Sequence, residues 1–137
     1  VAFNTFVFQW VEDIAAAFAE AYRVLRPGGR FVFSTPYPTF RLVDPETHVV
    51  EHSYFETGRW VRYEDADGDG NDLVVYHHRV ADIYNTLRAA GFRVDRLLEP
   101  GSADPAENES DPWGDAPAEL RSKVPRVLVV EAHKPSV

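Results

Sequence analysis

Between Trp10 and Pro36 the chain carries a helical pattern, a glycine stop and a strand pattern in immediate succession, which constrains the fold more than any other feature. Apolar residues recur at Val11, Ile14, Phe18, Tyr22 and Leu25, steps of three and four that line one face of a helix. Glu12, Asp13, Glu20 and Arg23 stay off that stripe, so one face is to be buried. Glu12 and Asp13 are expected in the first turn and Arg23 and Arg26 in the last, where they suit the helix dipole. Pro27-Gly28-Gly29 then stops the helix. The run Arg30-Phe31-Val32-Phe33-Ser34-Thr35 is short, rich in strand formers and closed by Pro36. This is an α-to-β unit with a tight turn.

The remaining chain is uneven. At 137 residues and 45% apolar content one core is expected, burying roughly two-thirds of the unfolded surface. After Pro38 the stretch to about Glu56 has no period and reads as a lid. Trp60–Tyr63 and Leu73–Tyr76 read as two strands of a hairpin joined by the acidic stretch Asp65–Asp72. A helix is predicted from about Val80 to Ala90, with Ile83, Leu87 and Ala90 inward and Gly91 closing it. A strand at Phe92–Leu98 follows. Residues 99–118 hold Pro100, Pro105, Pro112 and Pro117 and read as a surface excursion. A last strand runs from Arg126 to Ala132.

The segment Val1–Pro38, above all Arg23-Val24-Leu25-Arg26-Pro27-Gly28-Gly29-Arg30-Phe31-Val32-Phe33-Ser34, resembles class I S-adenosylmethionine-dependent methyltransferases from their fourth strand into their fifth. His78-Arg79, Asp82 and Leu87-Arg88-Ala89-Ala90-Gly91-Phe92 look like a helix of the small-molecule branch, and Val124–Pro135 is similar to the last strand. The resemblance implies an α/β fold: a partial Rossmann-like methyltransferase sheet, fourth to last strands, with the final strand antiparallel and inserted. A lid region and β-hairpin insertion span residues 37–79.

In that family the cofactor is held chiefly by a glycine-rich loop and an acidic residue that precede any segment found here. Gly68 and Gly70 lie in an acidic polar stretch, not between strand and helix, so they fail the context for a nucleotide loop. The chain has no initiating Met. It is therefore expected to be the C-terminal part of one methyltransferase domain, to bind S-adenosylmethionine weakly by itself, and to form a homodimer through the uncovered Val1–Trp10 segment.

Asn4 and Thr5 lie just past the apolar start Val1–Phe3, at the carboxyl end of a strand where ligands of open α/β sheets sit. The resemblance assigns Asn4, Thr5, Phe6, Gln9 and Trp10 to the cofactor's sulfonium and methionine end; packing is the competing reading, favoured for Trp10. Methyl transfer needs alignment, water exclusion and, for some acceptors, proton removal. His77 and His78 are the candidate catalytic residues, against a reading in which the His78-Arg79 pair caps and packs. Tyr37, Tyr54, Trp60 and Tyr76 are candidate substrate-binding walls. His48 and His52, at i and i+4, could bind a metal on a helix, but no carboxylate motif completes a site, so none is expected. Asp65, Asp67, Asp69 and Gly70 imitate a calcium loop whose twelfth position is Tyr76 rather than Glu, so a solvated turn is favoured.

The net charge of −8 argues against a nucleic-acid partner, since phosphate binding needs clustered Lys and Arg. Only Lys123 and Lys134 are lysines among 14 basic residues, a balance that suits a GC-rich genome or a high-salt cytoplasm. The absence of cysteine excludes disulfides and thiolate metal sites. With no long apolar run, no membrane partner and a cytoplasmic location are expected. The function implied is methyl transfer from S-adenosylmethionine to a small molecule. A non-catalytic dimerisation or regulatory module derived from a methyltransferase, and a calcium-stabilised binding module, are the alternatives.

Overall fold

The computed structural model describes residues 1–63, 73–108 and 116–137. The acidic stretch Asp65–Asp72, with its calcium-loop reading, and Pro112 of the excursion lie outside the described residues. A mixed four-stranded sheet has the order β1 (Ala2–Thr5), β2 (Arg30–Pro36), β6 (Val127–His133), β5 (Arg93–Leu98). β1 and β2 run parallel, while β6 is antiparallel to both β2 and β5. The last strand is thus inserted between two strands that precede it in the chain, as the resemblance implied.

Strict alternation makes the buried face. Phe31, Phe33 and Thr35 of β2 stand opposite Ala132, Val130 and Leu128 of β6, and all six are buried. Helices α1 (Ile14–Val24) and α2 (Val80–Ala89) contribute Ile14, Phe18, Ile83 and Leu87 to the same core. Four phenylalanines interlock there: Phe8 and Phe33 have ring centroids 4.7 Å apart, Phe8 and Phe18 4.9 Å, and Phe31 and Phe33 5.1 Å. Edge-on and offset arrangements of this kind suit the ring quadrupoles.

Helix α1 starts later than the periodicity indicated. Asp13 is its N-cap, accepting from the Ala16 amide at 2.9 Å, so Val11 and Glu12 precede the helix and the first turn carries no acid. Phe8–Trp10 instead form a 3-10 turn that drops Phe8 into the core. Val24 is the last helical residue, leaving Arg26 beyond it. The stop itself is as expected: Gly28 takes φ 75°, a conformation that favours glycine, and its amide donates to the Lys134 carbonyl at 2.8 Å. The Lys134 ammonium donates to the Tyr22 and Leu25 carbonyls at 2.8 and 2.9 Å, closing the helix's C-terminal end.

β3 (Gly58–Tyr63) and β4 (Leu73–His77) form a separate antiparallel pair, the expected hairpin. The preceding lid stretch holds a 3-10 turn at Phe40–Leu42 and a bridge between Val43 and Val50. His48 has φ 58° and lies outside any helix, so the i, i+4 premise for pairing it with His52 does not hold. Among the described residues no cluster of metal-ligating side chains occurs. A short helix, α3 (Ala118–Arg121), precedes β6 and buries Leu120.

Candidate functional site

The carboxyl ends of the parallel strands β1 and β2 open towards the hairpin, the position where α/β sheets bind ligands. Past Thr5 the backbone turns sharply at Phe6, with φ 53°, while its amide still donates to the Ser34 carbonyl at 2.9 Å. The 3-10 turn then inserts Gln9, only 7% exposed. The Gln9 Oε1 and Asn4 Oδ1 are both buried without a hydrogen-bond partner among the described residues. An unmet buried acceptor costs about 1–3 kcal/mol, so these two oxygens mark places where a ligand donor or positive charge is welcome. Thr5 is exposed, and Trp10 is 45% exposed with its indole N–H donating to the Phe6 carbonyl at 3.2 Å. Trp10 is therefore not the core aromatic that the packing reading favoured.

His77, at the end of β4, is the centre of the site. Its ring stacks on Trp60 with centroids 4.6 Å apart and planes 14° from parallel. A carbonyl can only accept, so the 3.0 Å contact between His77 Nε2 and the Tyr54 carbonyl places the proton on Nε2. Burial depresses the imidazole's pKa below the usual histidine value. The Tyr54 bond works against that shift, while the positive fields of His78 and Arg41 add to it. A neutral ring with Nε2 protonated leaves Nδ1 as a lone pair.

His78 differs from its neighbour, since its Nε2 donates to the Val11 carbonyl at 2.8 Å and ties the entry of α2 to the segment before α1. Asp82 accepts there from the Arg79 amide at 3.1 Å and from its guanidinium at 2.9 and 2.8 Å, a pairing that holds the Asp82 carboxyl below its usual range. Tyr54 accepts from the Val80 amide at 3.0 Å, so this one residue braces both His77 and α2.

Gln9, Trp60, Tyr76, His77 and His78 line one cleft with Phe8, Thr35 and Arg41. Its cavity volume is about 20 Å³. The cleft is narrow as it stands. Tyr37 lies apart from these lining residues: its hydroxyl donates to Glu99, and burial followed by that carboxylate pushes its pKa up to about 12. Sequence reasoning missed Arg41 and Thr35. Arg41 sits in the stretch without period, and only its position in the turn Phe40–Leu42 brings it beside β4.

A methyltransferase-domain family model matches residues 1–33. The malonyl-[acyl-carrier protein] O-methyltransferase of Serratia marcescens is 54% identical over 35 residues, 26% of this chain and 14% of that protein. The malonyl-[acyl-carrier protein] O-methyltransferase 1 of Coxiella burnetii is 28% identical over 106 residues, 65% of this chain and 35% of that protein. An S-adenosylmethionine-dependent methyltransferase structure from Mesorhizobium loti aligns over 97% of this chain and 61% of that chain, with TM-score 0.60 and 23% identity. A Listeria monocytogenes structure assigned to the same class gives TM-score 0.70 over 96% of this chain and 59% of that one, at 22% identity. The chain thus spans about a third or less of these two curated relatives and about 60% of these two structures. The first segment of the chain thus matches the methyltransferase-domain model, and the chain as a whole has the fold of these S-adenosylmethionine-dependent methyltransferase structures.

Proposed function

We propose that this chain supplies the acceptor side, and part of the cofactor side, of a site that transfers a methyl group from S-adenosylmethionine to an oxygen of a small molecule. The observation that carries the reading is the pair of buried amide oxygens on Asn4 in β1 and Gln9 just past it, unmet among the described residues, with Gln9 sharing its cleft with a histidine whose protonation burial disfavours. Bound S-adenosylmethionine supplies a cationic sulfonium whose methyl group is the electrophile. Asn4 and Gln9 fit such a group because their oxygens favour a positive charge or a donor; Thr5, Phe6 and Trp10 would flank it.

His77 Nδ1, left as a lone pair, would take a proton from an acceptor hydroxyl. His78 holds its place through Val11. Trp60 and Tyr76 wall the acceptor and exclude water, while Tyr54 fixes the His77 tautomer. Tyr37 serves further out, at the rim formed with Glu99. An oxygen acceptor is supported by the relatives' naming as O-methyltransferases, and an acyl-carrier-linked acceptor is the first to test.

Self-association is also proposed. β1 is an edge strand, and Val1 and Phe3 on it are 84% and 77% exposed. Among the described residues no helix is long and apolar enough to cross a membrane, and a cytoplasmic location forms part of the proposal.

Transfer of labelled methyl from S-adenosylmethionine to malonyl-acyl-carrier protein, by the protein that carries this chain, tests the reading. The expected result is product formation, and since the malonyl carboxylate is already ionised the role of His77 is read on a hydroxyl acceptor, where turnover should fall at least about a hundredfold in His77→Phe. Hydroxyl methylation unaffected by His77→Phe overturns the role of His77, and failure to bind S-adenosylmethionine overturns the reading as a whole.

A further inference from the structure

We propose that the Tyr54 hydroxyl is a positioning group for His77: by holding the Val80 amide it seats Tyr54's own carbonyl against the imidazole and keeps the ring's lone pair on Nδ1. This rests on the reading of His77 as the residue that takes the acceptor's proton. Tyr54 belongs to the lid stretch, 23 positions before His77 and 26 before Val80, yet it meets both. Its carbonyl accepts from His77 Nε2 at 3.0 Å and its hydroxyl accepts from the Val80 amide at 3.0 Å. Its ring also meets the His77 ring edge-on, with centroids 5.7 Å apart.

The start of α2 explains why a distant tyrosine is used. Val80 is the first residue of that helix, so its amide finds no partner within it. The N-cap is Arg79, whose side chain offers no acceptor, and Asp82 is engaged with the Arg79 amide and guanidinium. The Tyr54 hydroxyl takes that place. Among the described residues Tyr54 makes no hydrogen bond beyond these two, so the Val80 bond is what holds its carbonyl under the ring. The link from His77 to Val80 is thus tied at both ends by one residue, and between them by the His78 bond to the Val11 carbonyl. Water satisfies either neutral tautomer of an imidazole, whereas a carbonyl, which only accepts, selects one. Seating of the lid stretch therefore sets the base.

The test removes the same hydrogen bond from either side. Tyr54→Phe takes away the hydroxyl and keeps the ring. Val80→Pro takes away the amide proton, and proline suits the first position of a helix when the residue before it is extended, as Arg79 is at φ −68° and ψ 156°. The His77 ring is followed by proton–nitrogen NMR at about pH 8, above the ordinary histidine pKa, and assigned by its loss in His77→Gln. Wild type is expected to show one tautomer, with Nε2 protonated and Nδ1 bare. Both variants should show the two tautomers in exchange. Their kcat on a hydroxyl acceptor should fall about three- to tenfold, the effect of one neutral hydrogen bond, and the double variant should fall no further than either single one.

A wild-type ring already divided between tautomers, or one that keeps Nε2 protonated in either variant, overturns the proposal. So does a double variant whose loss is the product of the two single losses. Val80→Pro decides the matter where Tyr54→Phe fails to fold. A tautomer lost in both variants of a protein that methylates no acceptor sinks the enzymatic reading and leaves the brace standing. Methyl transfer by wild type, with the His77 tautomer unchanged in both variants, does the reverse.

Discussion

The His77 imidazole lies nearly flat on the Trp60 indole, 4.6 Å between centroids, while its Nε2 donates to the Tyr54 carbonyl at 3.0 Å. Two elements, the hairpin and the lid stretch, thereby hold one ring in one tautomer. Its protonation is disfavoured in the folded protein because the ring is buried.

The sign of the pH dependence follows. A histidine whose folded pKa is depressed binds fewer protons folded than unfolded, so its contribution is complete above the ordinary value of about 6.5. It is lost as pH falls from there through the folded value. The melting temperature is expected to drop as pH falls below the ordinary histidine value of about 6.5, and the slope to flatten in His77→Gln. Thermal melts across that range check it; a wild-type slope identical to the variant's would contradict it.

Gln9→Leu separates stability from function. Replacing a buried, unmet amide oxygen by an apolar group removes an unsatisfied acceptor, so the variant should be about as stable as wild type or up to about 1 kcal/mol more stable. Methyl transfer should fall at least about tenfold. Urea melts and initial rates on the same preparations measure both.

Phe18→Ala should be among the costliest substitutions. The side chain is fully buried and touches Phe8, Phe31 and Phe33. A loss of about 3–5 kcal/mol is expected, readable as a shift in the denaturation midpoint.

Lys134→Met tests the clamp on α1. The ammonium donates to two terminal carbonyls of the helix and stands 4.4 Å from the Tyr22 ring centroid. Its removal should cost about 1–2 kcal/mol and raise amide exchange in the last turn of α1, with the cleft's ligand affinity unchanged.

Phe3→Lys addresses self-association. A charge on the exposed edge of β1 opposes strand-to-strand pairing. Light scattering should show a higher mass for wild type than for the variant, and a wild-type monomer at micromolar concentration would remove the dimer from consideration.

Most of the sheet and both major helices were legible because their apolar periods are local: Phe31 and Phe33 alternate, and Ile14 and Phe18 repeat at helical spacing. The start of α1 was not, since Val11 continues the apolar stripe while Asp13 caps after it, and a cap outranks a stripe in setting where a helix begins. The site was legible in part. Gln9, Trp60, Tyr76, His77 and His78 were named from sequence and the fold brings them together. Arg41 was invisible because nothing local distinguishes an arginine in an aperiodic stretch; its meaning comes from standing near β4. Tyr37 was also named from sequence and stands outside the cleft lining, bonded to Glu99.

The inserted last strand has a consequence for how the chain reaches this structure. β6 sits between β2 and β5, yet it is made after both, and its Lys134 closes a helix more than a hundred residues earlier. Until β6 emerges from the ribosome, β2 and β5 face each other across a vacant lane, each with an unpaired edge. Closing that lane requires contacts of large sequence separation, which slow folding and expose intermediates to association. The sheet is thus completed only once β6 has been made, and a chain that stops short of β6 leaves the facing edges of β2 and β5 open to other strands.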